Sequence, residues 1–113
     1  MPHCIVEYSK PLESEVELSS LLNSVFKGAL NSQLFDAADI KTRALPFNHY
    51  ISGILRQNFV HVTAKILSGR NVEQRNKLAQ SILDQLNELF SSGVSLTVEV
   101  YEIERSSYAK VVK

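Results

Sequence analysis

The second residue of this 113-residue chain is proline, and it opens a strand-like stretch. Removal of Met1 would leave Pro2 with a free secondary amine. A free α-amine has a pKa of roughly 7.7–8.0, and burial or nearby cations push it down. An amine tuned in this way suits a general base at neutral pH. With Met1 attached, the same nitrogen is a tertiary amide and accepts no proton. The chemistry therefore hinges on one peptide bond. Other reactive side chains read more plainly. His3 and His61 make only two histidines on strand-like segments, and no Cys/His/carboxylate set has ligand spacing, so no metal is expected. Structural hydrogen bonding is the expected role of both. The single cysteine, Cys4, cannot form an intrachain disulfide and reads as a buried, inert thiol. Taken alone, Arg43 is a solvated charge on an alternating strand, and Arg70 lines the start of a helix.

These residues need elements to position them. Pro2 to Tyr8 alternates and is rich in strand formers, with Cys4, Val6 and Tyr8 opposite His3, Ile5 and Glu7. Ser14 and Glu17 have capping-box spacing, and Leu18, Leu21, Leu22, Val25, Ala29 and Leu30 then form a helical stripe that ends near Asn31. Phe35 to Asp39 suits a short helical turn and Ile40 to Leu45 a strand. Pro46 lacks a donor, so a central strand should not pass through it. Residues 47–57 suit a hairpin or an edge excursion around Gly53. Phe59 to Leu67 alternates cleanly. Asn71 and Gln74 mark a second capping box, and Leu78, Ala79, Ile82, Leu83, Leu86, Leu89 and Phe90 a second stripe, with Gly93 as its stop. A last strand is expected from Ser95 to Glu104.

The order is strand, helix, strand, strand, helix, strand. It predicts an α+β fold of two tandem βαβ halves, with one mixed four-stranded sheet carrying both helices on one face. Val60, Val62, Ala64, Ile66, Leu96, Val98 and Val100 should lie beneath the helices. The other face, with Phe59, His61, Thr63, Thr97 and Tyr101, is only partly polar, and part of it should be covered by another subunit. No linker or low-complexity tract divides residues 1–113, which read as a single domain. Ferredoxin-like domains share this element order. A non-catalytic ligand-binding or oligomerisation module of that kind therefore stays open alongside an enzyme.

Composition narrows the function classes. Twelve basic and twelve acidic residues cancel, which argues against a broad nucleic-acid footprint but leaves room for a small basic pocket. No apolar run approaches the roughly 18 residues of a membrane span. The N-terminus lacks a basic region followed by an apolar stretch, so no secretory signal is expected and the chain reads as cytoplasmic.

Four segments carry a resemblance. Pro2-His3-Cys4-Ile5-Val6-Glu7 resembles the opening of the 5-carboxymethyl-2-hydroxymuconate isomerases, a branch of the tautomerase superfamily. Phe59 to Ile66, followed by Gly69-Arg70 and a helix with Glu73 and Arg75, is similar to a strand, glycine-arginine and helix start in that family. Ile40-Lys41-Thr42-Arg43 and Tyr101-Glu102-Ile103-Glu104 match in register. The resemblance implies a tautomerase-like homotrimer with active sites near subunit boundaries and no metal or organic cofactor. It implies an N-terminal proline that shuttles a proton on a dienol dicarboxylate or tricarboxylate from aromatic-compound breakdown, with 5-carboxymethyl-2-hydroxymuconate or a close relative as substrate. Carried over residue by residue, Pro2 is the base, and Arg43 and Arg70 are carboxylate clamps. Lys41 stands where the family has an arginine. It would bind substrate as a point charge, not as a bidentate fork.

Overall fold

The computed structural model describes residues 1–55 and 57–113. Strand β1 spans His3–Ser9, helix α1 Leu18–Asn31, strand β2 Lys41–Phe47, strand β3 Asn58–Leu67, helix α2 Val72–Leu89 and strand β4 Val94–Ile103. The expected element order is the observed one. The four strands form one mixed sheet in the order β2-β1-β3-β4. β1 runs parallel to β2, β3 runs parallel to β4, and β1 is antiparallel to β3. Each half is thus a βαβ unit, and the two halves join at the β1–β3 seam.

Alternation decides which face each side chain takes. Cys4, Val6, Tyr8, Val60, Val62, Ala64 and Ile66 are buried beneath the helices with Leu21, Val25, Ala29, Leu78, Ile82 and Leu86. Leu96, Val98 and Val100 are half-buried because β4 is an edge strand. The residues in between point to the open face. In register, that face carries Lys41 and Arg43 on β2, His3, Ile5 and Glu7 on β1, Lys65, Thr63 and His61 on β3, and Tyr101, Glu99 and Thr97 on β4.

The helix starts differ from one another. Asn71 and Gln74 form a reciprocal capping box, with hydrogen bonds of 2.8 and 2.9 Å. The box expected at Ser14 and Glu17 does not form. Glu17 is itself the N-cap of α1 and makes no side-chain cap bond. Pro11 instead lies in the first turn of a 3-10 helix over Lys10–Ser14, and the Ser14 hydroxyl donates back to the Pro11 carbonyl at 2.9 Å. Buried Tyr8 ties β1 to that turn by donating to Glu13 at 2.6 Å. α2 ends at Leu89, four residues before Gly93. Gly93, with φ of 75°, turns the chain into β4. β2 continues through Pro46 to Phe47, which an edge strand allows because an edge can leave a ladder donor unmade. Residues 48–55 and 57 form no regular element; Tyr50 and Phe47 pack their rings against Phe59. Arg56, part of the expected excursion, lies outside the described residues.

The two helices meet at Gly28. A Cβ there would lie 2.6 Å from the Ile82 Cα, and the Ser81 hydroxyl donates to the Gly28 carbonyl at 2.7 Å. Alanine favours a helix interior by ~1 kcal/mol over glycine. A backbone clash this close forces the helices apart at a cost of ~1–3 kcal/mol or more. Gly28→Ala is therefore expected to lower the melting temperature by several degrees, as read by circular dichroism. A variant as stable as the wild type would contradict this packing.

Candidate active site

The start of β1 is fixed from two sides. The Lys41 amide donates to the Pro2 carbonyl at 3.1 Å, which stitches the beginnings of β1 and β2 together. The Met1 amino group donates to the Asp39 carbonyl at 3.3 Å. Pro2 is buried on the helix side of the sheet, while Met1 is half-buried. The Met1 amine titrates below its ordinary value of 8.0. Burial is the largest cause, followed by the charges of Lys110 and Lys41; Asp39 opposes them.

A cavity of about 310 Å3 opens beside the N-terminus. Its wall includes Met1, the Leu34–Asp36 segment after α1, Asp39, the end of β3, Arg70 and Arg105. The topology explains the convergence. β1 begins at this end of the sheet, whereas antiparallel β3 and its partner β4 finish here. The loops after α1 and β3 close over the gap between them. Arg70 is held rigidly. Its Nη2 donates to the Leu34 carbonyl at 2.8 Å, and its guanidinium sits 5.7 Å from the centre of the Phe35 ring. Its Nε is buried without a hydrogen-bond partner among the described residues. A fork pinned by one nitrogen keeps other N–H groups for a planar anion.

The other two cations expected at the site stand apart. Lys41 is exposed, with Nζ 3.3 Å from the Asp39 carbonyl, close enough to the N-terminus to depress the Met1 amine. Arg43 lies on the open face, outside the cavity wall, with Nη1 3.2 Å from His3 Nδ1. The other nitrogen of His3 is 3.0 Å from the Tyr108 hydroxyl. Arginine can only donate, so Nδ1 accepts and Nε2 carries the proton toward Tyr108. A second proton on His3 would break the contact with Arg43.

Consistent with that geometry, the His3 pKa is lowered from 6.5. Burial is the largest cause, then Arg43, the N-terminal amine, Lys41 and Lys65. Between the folded value and 6.5 the unfolded chain binds more protons, so stability rises with pH across that window and levels off above it. Melting curves from pH 5 upward should show this component in the wild type and lose it in His3→Gln. Identical pH dependence in the two proteins would contradict it.

His61 is bonded within the sheet, to Thr97 Oγ1 at 2.7 Å and Glu99 Oε2 at 2.6 Å. It faces Glu7 across the strands, whereas His3 faces Lys65, so the two histidines do not share a site. Burial pushes the Cys4 thiol up to about 11 despite Arg43, which makes it a poor nucleophile. A larger hollow, about 830 Å3, opens near Tyr50 and Ile51 at the other end of β1, and Lys10 is its single charged wall residue among those described.

A sequence model for 5-carboxymethyl-2-hydroxymuconate isomerase matches residues 2–111. The chain belongs to this family. Its membership decides for an isomerase over the non-catalytic module that element order alone left open. Among curated proteins no sequence match is found. Solved structures share the fold. A 5-carboxymethyl-2-hydroxymuconate isomerase from Deinococcus radiodurans superposes with a TM-score of 0.85 at 22% identity, over 99% of this chain and 90% of its own. A 5-carboxymethyl-2-hydroxymuconate delta-isomerase gives 0.76 at 15% identity, over 100% and 89%. A fused 4-OT, a symmetric trimer, gives 0.76 at 14% identity, over 96% and 90%. No described helix is long and apolar enough to cross a membrane.

Within this 5-carboxymethyl-2-hydroxymuconate isomerase-family chain, the structure brings Pro2, Lys41 and Arg70 to one end of the sheet, with Arg70 on the cavity wall and Lys41 and Arg43 on the open face. It also adds residues that sequence reading missed. Arg105 lines the cavity with Arg70, Tyr108 bonds His3, and Lys110 lies 3.6 Å from an Asp39 carboxylate oxygen. Their one sequence signal was position, in the stretch directly after the last expected strand.

Proposed function

We propose that this isomerase transfers a proton within a 2-hydroxymuconate-type dienol polycarboxylate, with 5-carboxymethyl-2-hydroxymuconate as the first substrate to test. Pro2 serves as general base once Met1 is removed. The observation that carries this reading is the setting of the N-terminus. It adjoins a cavity that holds the Arg70 guanidinium, where burial and two lysines already depress an α-amine. Loss of Met1 would vacate part of that wall and put the Pro2 nitrogen deeper than the amine it replaces. The same causes would then act on it more strongly.

The neutral Pro2 amine removes a proton from one end of the conjugated system. Negative charge spreads through the dienolate toward oxygen. The protonated amine then returns the proton to another carbon, so the substrate is isomerised and the enzyme is unchanged. Arg70 would hold a carboxylate and stabilise the developing charge. Lys41 adds a point charge at the rim, and Arg43 serves as a second clamp from the open face. No step calls for a metal or organic cofactor.

The proposed assembly is a homotrimer, each copy a single domain over residues 1–113, working in the cytoplasm in aromatic-compound breakdown. The trimeric form of the fused 4-OT relative and the exposed apolar side chains of Leu45 and Tyr101 on the open face support it. Light scattering should give three times the 12.7 kDa chain mass, and a monomeric mass would remove the trimer. The deciding experiment is ultraviolet observation of dienol ketonisation by protein shown by mass spectrometry to begin at Pro2. A rate no higher than buffer with any 2-hydroxymuconate-type dienol would end the enzymatic proposal for this substrate class.

A further inference from the structure

The segment after β4 crosses the end of the sheet where the N-terminus lies and is fastened there at three points. Arg105 Nε donates to the Ser68 carbonyl at 2.5 Å, Tyr108 meets His3 at 3.0 Å, and Lys110 meets Asp39 at 3.6 Å. The Ser68 amide also donates to the Ile103 carbonyl at 3.0 Å, which fixes the start of the segment against the end of β3. Gly69 lies against the arginine. A Cβ on that residue would sit 3.5 Å from Arg105 Nη2, and its φ of 125° is one that side-chain-bearing residues rarely adopt. The result is a second guanidinium on the wall of the cavity that Arg70 lines.

We propose that Arg105 is a specificity-determining residue that binds a second carboxylate of the substrate, so the cavity selects dicarboxylates over monocarboxylates. This assignment rests on the proposed function in taking the cavity as the substrate site. Arg70 and Arg105 occupy the wall from different elements, the start of α2 and the segment after β4. Each is anchored to a backbone carbonyl by one nitrogen, to Leu34 and to Ser68. The remaining N–H groups of each fork match the two oxygens of a carboxylate. Of the two carboxylates that share the wall with Arg70 and Arg105, Asp39 is paired with Lys110, which leaves the guanidiniums less quenched by it. On the cavity wall, Arg70 alone would hold either acid equally. Two cations fixed by separate anchors reward a ligand that carries two charges.

The test uses muconate, a six-carbon diene with a carboxylate at each end, and sorbate, the same diene with only one. Neither has the 2-hydroxyl group, so neither is turned over by ketonisation. Calorimetric titration of protein beginning at Pro2 should show muconate bound about tenfold or more tighter than sorbate, the worth of one added charge-assisted contact. Arg105→Ala should erase that preference while leaving sorbate affinity unchanged, and Arg105→Lys should restore part of it. Arg70→Ala should weaken both acids. The assignment is overturned if Arg105→Ala keeps the muconate preference, if it weakens both acids equally, or if the wild type binds neither. A collapsed preference without ketonisation supports Arg105 while ending the proposed reaction. Ketonisation with a preference untouched by Arg105→Ala ends the Arg105 assignment alone.

Discussion

Protein that begins at Pro2 is expected to ketonise a 2-hydroxymuconate-type dienol, and protein that keeps Met1 is expected to do so no faster than ~10²–10⁴-fold below it, the span that general-base catalysis contributes. The reason is electronic. In the Met1–Pro2 peptide the proline lone pair is delocalised into the carbonyl and takes no proton. After cleavage it belongs to a secondary amine placed where burial, Lys110 and Lys41 lower an amine's pKa. Pro2→Ala, likewise freed of Met1, keeps a primary amine but loses the ring that sets its direction. A loss of ~10²-fold in kcat is expected, because proton transfer depends on holding base and carbon in line. Met1 lies at the edge of the fold, and its amino group makes one described hydrogen bond, to the Asp39 carbonyl. The two forms should therefore melt alike, which separates chemistry from folding. Equal rates with and without Met1 would remove Pro2 from the mechanism.

Much of the frame was legible because it rests on period. Phe59 to Leu67 alternates so regularly that its faces, and the layer the helices must cover, follow from the residues alone. Asn71 and Gln74 could be read as a capping box because both partners are local. Ser14 and Glu17 had the same spacing, yet Pro11 favours a 3-10 turn, and that turn engages the Ser14 hydroxyl first. Local spacing marks only what local geometry can satisfy. The site is legible in a different measure. Pro2 and Arg70 stood out through chemistry and family resemblance. Arg105, Tyr108 and Lys110 did not, because no period in their own segment points to the start of β1. What brings them there is the pairing of β3 with β4 in parallel and of β3 with β1 in antiparallel, a property of the register. The same register explains Arg43. It lies opposite Ile5, an open-face residue, so alternation carries its guanidinium away from the cavity and toward His3.

That separation makes the two expected clamps unequal. Arg70→Ala should lower kcat/KM by ~10²-fold, since a hydrogen-bonded ion contact is worth ~1.5–3 kcal/mol and each ~1.4 kcal/mol is tenfold. Arg70→Lys should recover only part, because an ammonium cannot reproduce a fork. Arg43→Ala should cost less than about tenfold, and mainly in KM, because its guanidinium is exposed and already shared with His3. The way each loss divides is informative. An interaction made equally with substrate and transition state raises KM alone, whereas one that tightens as charge builds lowers kcat. Arg70 sits beside the N-terminus, where the dienolate would form, so its loss should fall on kcat as well as on KM. The Leu34 carbonyl also loses its partner in Arg70→Ala, so the rates are compared well below the melting temperature of the variant. Steady-state rates in which Arg43→Ala proves the more damaging would move the substrate to the open face of the sheet. The cavity beside Met1 would then no longer be the place where the proton is transferred.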